Sequence, residues 1–236
     1  MKVTVVQDIL DANRRVSKAN KLRFDAHRLL VINLMSSPGA GKTSLLERLL
    51  KLLRGKLRIG VIEGDIQTSL DAERVERAGA AFTHQINTQG ACHLDGNMIA
   101  PVIEDLDLDA LDLLVVENVG NLVCPAEFDI GEDLKVVLFA VTEGEDKPRK
   151  YPLMFRESQV MVVNKIDLLP HLDTSLEAVH RAALQVHPGI RLFDVSCRTG
   201  EGLPAFAEWL GAEVARKRGD RKPTRKKRGA RKRTNA

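Results

Sequence analysis

The feature that most constrains this chain is the stretch from Val31 to Glu47. A short apolar run, Val31 to Met35, ends in Ser36-Ser-Pro-Gly-Ala-Gly41, and Lys42-Thr43 then opens a run with leucines at 45, 46, 49, 50 and 53. Leucines three and four apart predict an amphipathic helix, and the preceding apolar run predicts a buried strand. A strand, a glycine-rich turn and a helix in this order make a phosphate-binding loop. Gly39 and Gly41 let backbone N–H groups turn inward, with Ala40 and Ser44 completing the cradle, and the helix N-terminus adds its positive dipole end. Lys42 is expected to reach the β- and γ-phosphates and Thr43 to place its hydroxyl on Mg²⁺. The usual pattern begins with Gly, and here that place holds the small residue Ser36.

The rest of the chain repeats the alternation. Strands are predicted at Leu57–Glu63, Ala80–Ile86, Leu111–Glu117, Lys135–Val141, Gln159–Asn164 and Ile190–Ser196. Helices are predicted near Ser69–Ala78, Asn97–Leu106, Thr174–Val186 and Pro204–Arg216. Such alternation predicts an α/β fold, a mostly parallel sheet with helices on both faces, of the P-loop NTPase type. Residues 3–30 read as a helical extension with Ile9, Leu10, Val16, Leu22 and Phe24 on its apolar side and Asn13, Arg14 and Lys18 opposite. We therefore divide the chain into an extension (1–29), a nucleotide-binding domain (30–213) and a basic tail (214–236).

Three segments extend the nucleotide reading. Glu117-Asn-Val-Gly120 follows a buried strand: an acid there can hold Mg²⁺ directly or through water, and Gly120 can offer its N–H to a γ-phosphate. Asp is commoner than Glu at that place. Asn164-Lys-Ile-Asp167 selects the base. The Asp167 carboxylate can accept from guanine N1–H and its exocyclic amine, a donor pair adenine lacks, and mismatched polar groups are costly. Asn164 ties the loops, and the Lys165 stem covers the base. In the segment after the last strand, Ser196 and Cys197 offer backbone amides to guanine O6. Asp65 either aligns the attacking water or a water on Mg²⁺, or stabilises a helix N-terminus. GTP rather than ATP is the expected nucleotide.

Cys92-His93 and Cys124 are soft ligands suited to Zn²⁺ or Ni²⁺. By spacing alone, a three-ligand site and buried structural cysteines both remain open. Three cysteines in 236 residues do not form a disulfide framework. No apolar run approaches a membrane span and no signal-peptide core is visible, so the expectation is a cytoplasmic protein without membrane contact.

From about Asn20 to Trp209 the chain closely resembles HypB, the GTPase family that assists nickel delivery during [NiFe]-hydrogenase maturation. The resemblance rests on Ser36 to Thr43, Glu63-Gly-Asp-Ile-Gln-Thr68, Cys92-His-Leu-Asp95, Glu117 to Asp129 with its Cys-Pro, Val141-Thr-Glu-Gly-Glu-Asp-Lys-Pro148 and Asn164 to Asp167. Ser36 and Glu117 are the family's own habit. The resemblance implies a SIMIBI-type G domain, the class that includes signal-recognition GTPases, which dimerises when GTP-bound. It also implies that Cys92, His93 and Cys124 form a Ni²⁺ or Zn²⁺ site at the dimer interface. The implied partners are a second nickel accessory protein and a hydrogenase large-subunit precursor. With no obvious arginine finger, slow intrinsic hydrolysis of GTP to GDP is expected.

Two departures stand out. The N-terminal segment has no cysteine and one histidine, His27, so a tight N-terminal nickel site or a His-rich store is not expected. From Arg216 to Ala236 there are twelve Lys or Arg and one acid, about +11, whereas the remainder carries 24 basic and 31 acidic residues, about −7. Such a tail is expected to be disordered, and either merely solvated or in contact with an acidic protein or with nucleic acid. Other readings weighed are a urease-type nickel accessory GTPase, which usually has Pro between the Cys and the His, and a metal chaperone whose nucleotide is only structural. A nucleic-acid-binding regulator acting through the tail is a further reading.

Overall fold

The computed structural model describes residues 4–65 and 70–219. The chain runs α1 (Thr4–Ala26), β1 (Leu30–Ser36), α2 (Lys42–Leu53), β2 (Ile59–Asp65), α3 (Leu70–Ala78) and β3 (Phe82–Asn87). It continues through α4 (Gly96–Asp105), β4 (Leu113–Glu117), α5 (Cys124–Glu127), β5 (Leu134–Ala140), α6 (Lys147–Lys150) and α7 (Pro152–Glu157). The last elements are β6 (Val160–Asn164), α8 (Leu176–Val186), β7 (Arg191–Asp194) and α9 (Leu203–Arg218).

The seven strands form one sheet in the order β3-β2-β4-β1-β5-β6-β7, and every neighbouring pair is parallel. Parallel strands put all their carboxyl ends on one edge, so the tips of β1, β2, β4 and β6 open on one crevice. Period-2 alternation assigns the two faces. Leu30, Ile32 and Leu34 of β1 point with Leu113 and Val115 of β4 to one face, where Leu45, Leu46, Leu49 and Leu50 of α2 and Phe206 and Leu210 of α9 cover them. On the other face Val31, Leu114 and Val116 pack with Phe24 of α1 and Ile99 and Ile103 of α4, while Met35, Val137 and Phe139 pack under α7 and α8. Between these last two clusters sits a polar seam: Asn33 of β1 is in register with Lys135 of β5, and both are buried.

The expected α/β alternation holds, and α5, α6 and α7 are additions to it. Each is six residues or fewer, too short to show a 3.6 period. The apolar side expected of α1 is buried only in part: Phe24 is buried and Leu10 and Val16 are half-buried. Ile9 and Leu22, assigned to its apolar side, are 53% and 63% exposed, whereas Asn13, Ser17 and Asn20 are buried with Phe24. The reason is what the helix lies on. Asn13 donates to Asp129 O (2.9 Å) and accepts from Gly96 N–H (2.8 Å), and Asn20 donates to Gly96 O (3.0 Å) and Ile130 O (3.2 Å). Loop backbone buried under a helix needs polar partners, and asparagine supplies both a donor and an acceptor.

Helix α9 runs on to Arg218, five residues beyond the boundary placed at 213. Lys217 reaches Asp25 of α1 and, at 2.6 Å, Asp133, and Arg218 pairs with Asp112 ahead of β4. These residues of the basic run thus tie the end of α9 to the segments that lead into β1, β4 and β5, and residues 220–236 lie outside the described residues. No helix among the described residues is long and apolar enough to cross a membrane.

Candidate nucleotide and metal site

The phosphate loop is built by local geometry. Gly41, at φ 102°, caps α2 in the left-handed region that glycine alone enters freely, and a Cβ there would lie 2.7 Å from Asn164 Nδ2. Lys42 Nζ donates to Ser36 Oγ (3.0 Å), which folds the ammonium back over the loop. Thr43 Oγ1 donates to Glu117 Oε1 (3.4 Å), so the two groups expected at Mg²⁺ are neighbours. Gly120 approaches the loop so closely that a Cβ would be 3.1 Å from Pro38 N and Cα. The chain after β4 therefore lies directly against the phosphate cradle.

At the other end, Asn164 donates to Ala40 O (2.9 Å) and accepts from Cys197 N–H (3.1 Å), bridging the phosphate loop and the loop after β7. Lys165 Nζ donates to Gly39 O (2.7 Å). A cavity of about 340 Å³ opens among Gly41, Ser44, Lys165, Asp167, Cys197 and Arg198. Both Asp167 oxygens are engaged: Ser196 Oγ donates to one (2.5 Å) and Arg198 Nε to the other (2.7 Å). These bonds hold the carboxyl below its ordinary range. Burial, by contrast, pushes the Cys197 thiol up to about 11.

Sequence reasoning passed over two groups here. Glu63, 3% exposed, pairs in register with Glu117, so two buried acids stand side by side at the strand tips. The signal was available, since Leu57 to Glu63 is also an apolar strand ending on an acid. Arg198 is the other, and an exposed arginine in a loop carries no pattern that announces its partner. The side chain of Asp65 lies outside the described residues, and its backbone closes β2 opposite Asn87.

Cys92, His93 and Cys124 do converge. They are brought together by the loop between β3 and α4 and by the start of α5, with one ligand atom from each lying within 4.8 Å of the others. Cys92 Sγ is 3.6 Å from His93 Nδ1, and the His93 ring stacks on Phe128 at 4.1 Å. Burial lowers the His93 pKa, outweighing the acids Asp95 and Glu127, so its imidazole favours the neutral, ligating form. Burial and the hydrogen bond with the Cys92 thiol raise that of Cys124. Two sulfurs and a neutral imidazole fit a borderline-soft divalent cation such as Zn²⁺ or Ni²⁺, and they leave a fourth position for another ligand.

Residues 30–194 match the CobW/HypB/UreG nucleotide-binding domain. The hydrogenase maturation factor HypB of Rhizobium leguminosarum bv. viciae is 49% identical over 215 residues, covering 91% of this chain and 72% of that protein. This chain belongs to the HypB family. The solved structure of HypB from Helicobacter pylori in complex with nickel superposes with a TM-score of 0.82 at 34% identity, covering 90% of this chain and 98% of that one. The 54 kDa signal recognition particle protein of Aeropyrum pernix in complex with GDP superposes at a TM-score of 0.54 and 18% identity, covering 80% and 46% of the two chains. That likeness is one of fold. The chain thus shares the parallel α/β fold of these nucleotide-binding proteins.

Proposed function

We propose that this protein hydrolyses GTP and uses the cycle to govern delivery of Ni²⁺ to a [NiFe]-hydrogenase precursor, together with a second nickel accessory protein. GTP is held by Gly39 to Ser44, with Asn164, Lys165 and Asp167 on the base and the Ser196 and Cys197 amides near guanine O6. Thr43 and Glu117, with Asp65, hold Mg²⁺, which supplies charge neutralisation when bound. Lys42 and the loop N–H groups stabilise charge developing on the phosphoryl oxygens during in-line attack by water. Cys92, His93 and Cys124 take the metal, and a second copy of the chain completes the site in the GTP-bound dimer.

The observation that carries this reading is the convergence of the three metal-binding side chains on the segment that also contains Gly120, itself packed on the phosphate loop. It is tested by GTP turnover together with Ni²⁺ stoichiometry and mass in GDP and in a non-hydrolysable GTP analogue. Lys42→Ala is expected to abolish turnover, and Cys92→Ala or Cys124→Ala to remove both the metal and the GTP-dependent dimer. A Lys42→Ala protein with wild-type turnover, or a wild type that binds no metal in either state, contradicts the proposal.

A further inference from the structure

The metal-binding side chains stand on two arms. Cys124 shares its segment with Glu117 and Gly120, but Cys92 and His93 belong to the loop after β3, and no covalent link makes that loop follow the nucleotide. Asn118 supplies a link. It directly follows Glu117 and is fully buried. Its Oδ1 accepts from Leu94 N–H (2.9 Å) and Val119 N–H (3.0 Å), and its Nδ2 donates to Asn33 Oδ1 (3.1 Å) and reaches Leu94 O (3.5 Å). Leu94 is the residue after His93.

Two weaker ties run in parallel. Asn121 Nδ2 donates to Cys92 O (3.3 Å), and the His93 ring lies on Phe128. Leu94 itself is wedged against the tip of β2, where a Cβ on Gly64 would lie 2.6 Å from Leu94 Cγ. The loop is therefore held between the strand tips that flank the phosphates.

We propose that Asn118 is a positioning residue that clamps the Cys92–His93 arm to the γ-phosphate-sensing segment, so that displacement of Gly120 reaches both arms of the metal site. The proposal rests on the functional reading above. Hydrogen bonds weaken steeply with distance and angle, and buried ones cannot be exchanged for water. A shift of the Glu117–Gly120 segment therefore either carries Leu94 with it or breaks the clamp. A carried arm pivots on Leu94, which is wedged against the tip of β2, so Cys92 and His93 turn rather than follow Cys124 rigidly, whereas a broken clamp separates the two arms. Either movement alters the Cys92–Cys124 spacing, and with it the affinity for a metal that needs both thiolates.

Amide hydrogen exchange and Ni²⁺ affinity, each with GDP and with a non-hydrolysable GTP analogue, test this. In Asn118→Ala, exchange across Cys92–Asp95 is expected to accelerate at least about tenfold. Ni²⁺ affinity in GDP is expected to fall about tenfold, and its ratio between the two nucleotides to collapse towards one. Asn121→Ala, a surface change that does not threaten folding, is expected to move both readouts the same way by less. Leu210→Ala, a core deletion in α9 that touches neither loop, is expected to lower thermal stability and leave both readouts at wild type. Normal Ni²⁺ binding whose exchange rates and nucleotide ratio survive Asn118→Ala overturns the proposal alone. A wild type that binds no Ni²⁺ overturns the functional reading and this proposal with it.

Discussion

Arg198 and Asp167 show how one contact sets the state of the base site. In the function proposed above, guanine recognition uses both Asp167 oxygens, which Ser196 and Arg198 hold here. An incoming base must therefore displace the guanidinium, which is mostly exposed and held by one short ion pair. Arg198→Ala is expected to speed association of GDP severalfold, whereas Asp167→Ala should weaken GDP binding about 10- to 100-fold by leaving the guanine donors unmatched. Stopped-flow fluorescence with a labelled GDP separates the two. Equal association rates in wild type and Arg198→Ala would remove the displacement step. At Gly41 the constraint is backbone: Gly41→Ala combines positive φ with a clash against Asn164, and titration should show nucleotide affinity reduced at least about tenfold.

At the scale of elements, α1 departs from the rule that apolar residues mark the buried face, since asparagines share that face with Phe24. Asn20→Ala strands the Gly96 and Ile130 carbonyls and is expected to cost about 1–3 kcal/mol. Leu22→Ala, on a residue 63% exposed, should stay within about 0.5 kcal/mol. Urea denaturation of the two variants compares them directly, and the opposite order would mean that α1 docks by its other face. Helix α2 follows the rule, since Leu45, Leu46, Leu49 and Leu50 all enter the core.

Across the whole molecule, Asp112 joins the starts of β2 and β4 to the end of α9. Burial raises its pKa, but hydrogen bonds from the Arg58 side chain and backbone, with Arg218 nearby, outweigh burial and hold it below the ordinary carboxylate range. A depressed folded-state pKa stabilises the protein above the unfolded value, about 3.9. That contribution is lost as pH falls through the lower folded value. Asp112→Asn is therefore expected to destabilise most at neutral pH, and the gap to wild type should narrow below about pH 4. Thermal melts across pH 2.5–7 measure this, and a gap independent of pH would assign the loss to packing rather than charge.

Periodicity and motif determined much of this protein. The strand, glycine turn and leucine spacing of 31–53 dictate the phosphate loop, because few backbones cradle phosphate and glycine at positive φ marks one of them. The acids at strand ends and Asn164 to Asp167 could be picked out by the same local logic, and the proposed base and Mg²⁺ groups rest on them. The resemblance to HypB singled out Cys92, His93 and Cys124, which spacing left open. Tertiary structure alone decided the rest: that α1 buries its asparagines, that Glu63 stands beside Glu117, that Arg198 holds Asp167, and that Asn118 joins two loops. The asparagines answer backbone groups of distant segments, Glu63 meets Glu117 through strand order and register, and Arg198 meets a carboxylate on another loop. A one-dimensional pattern records a residue's own polarity rather than the needs of the surface it will meet.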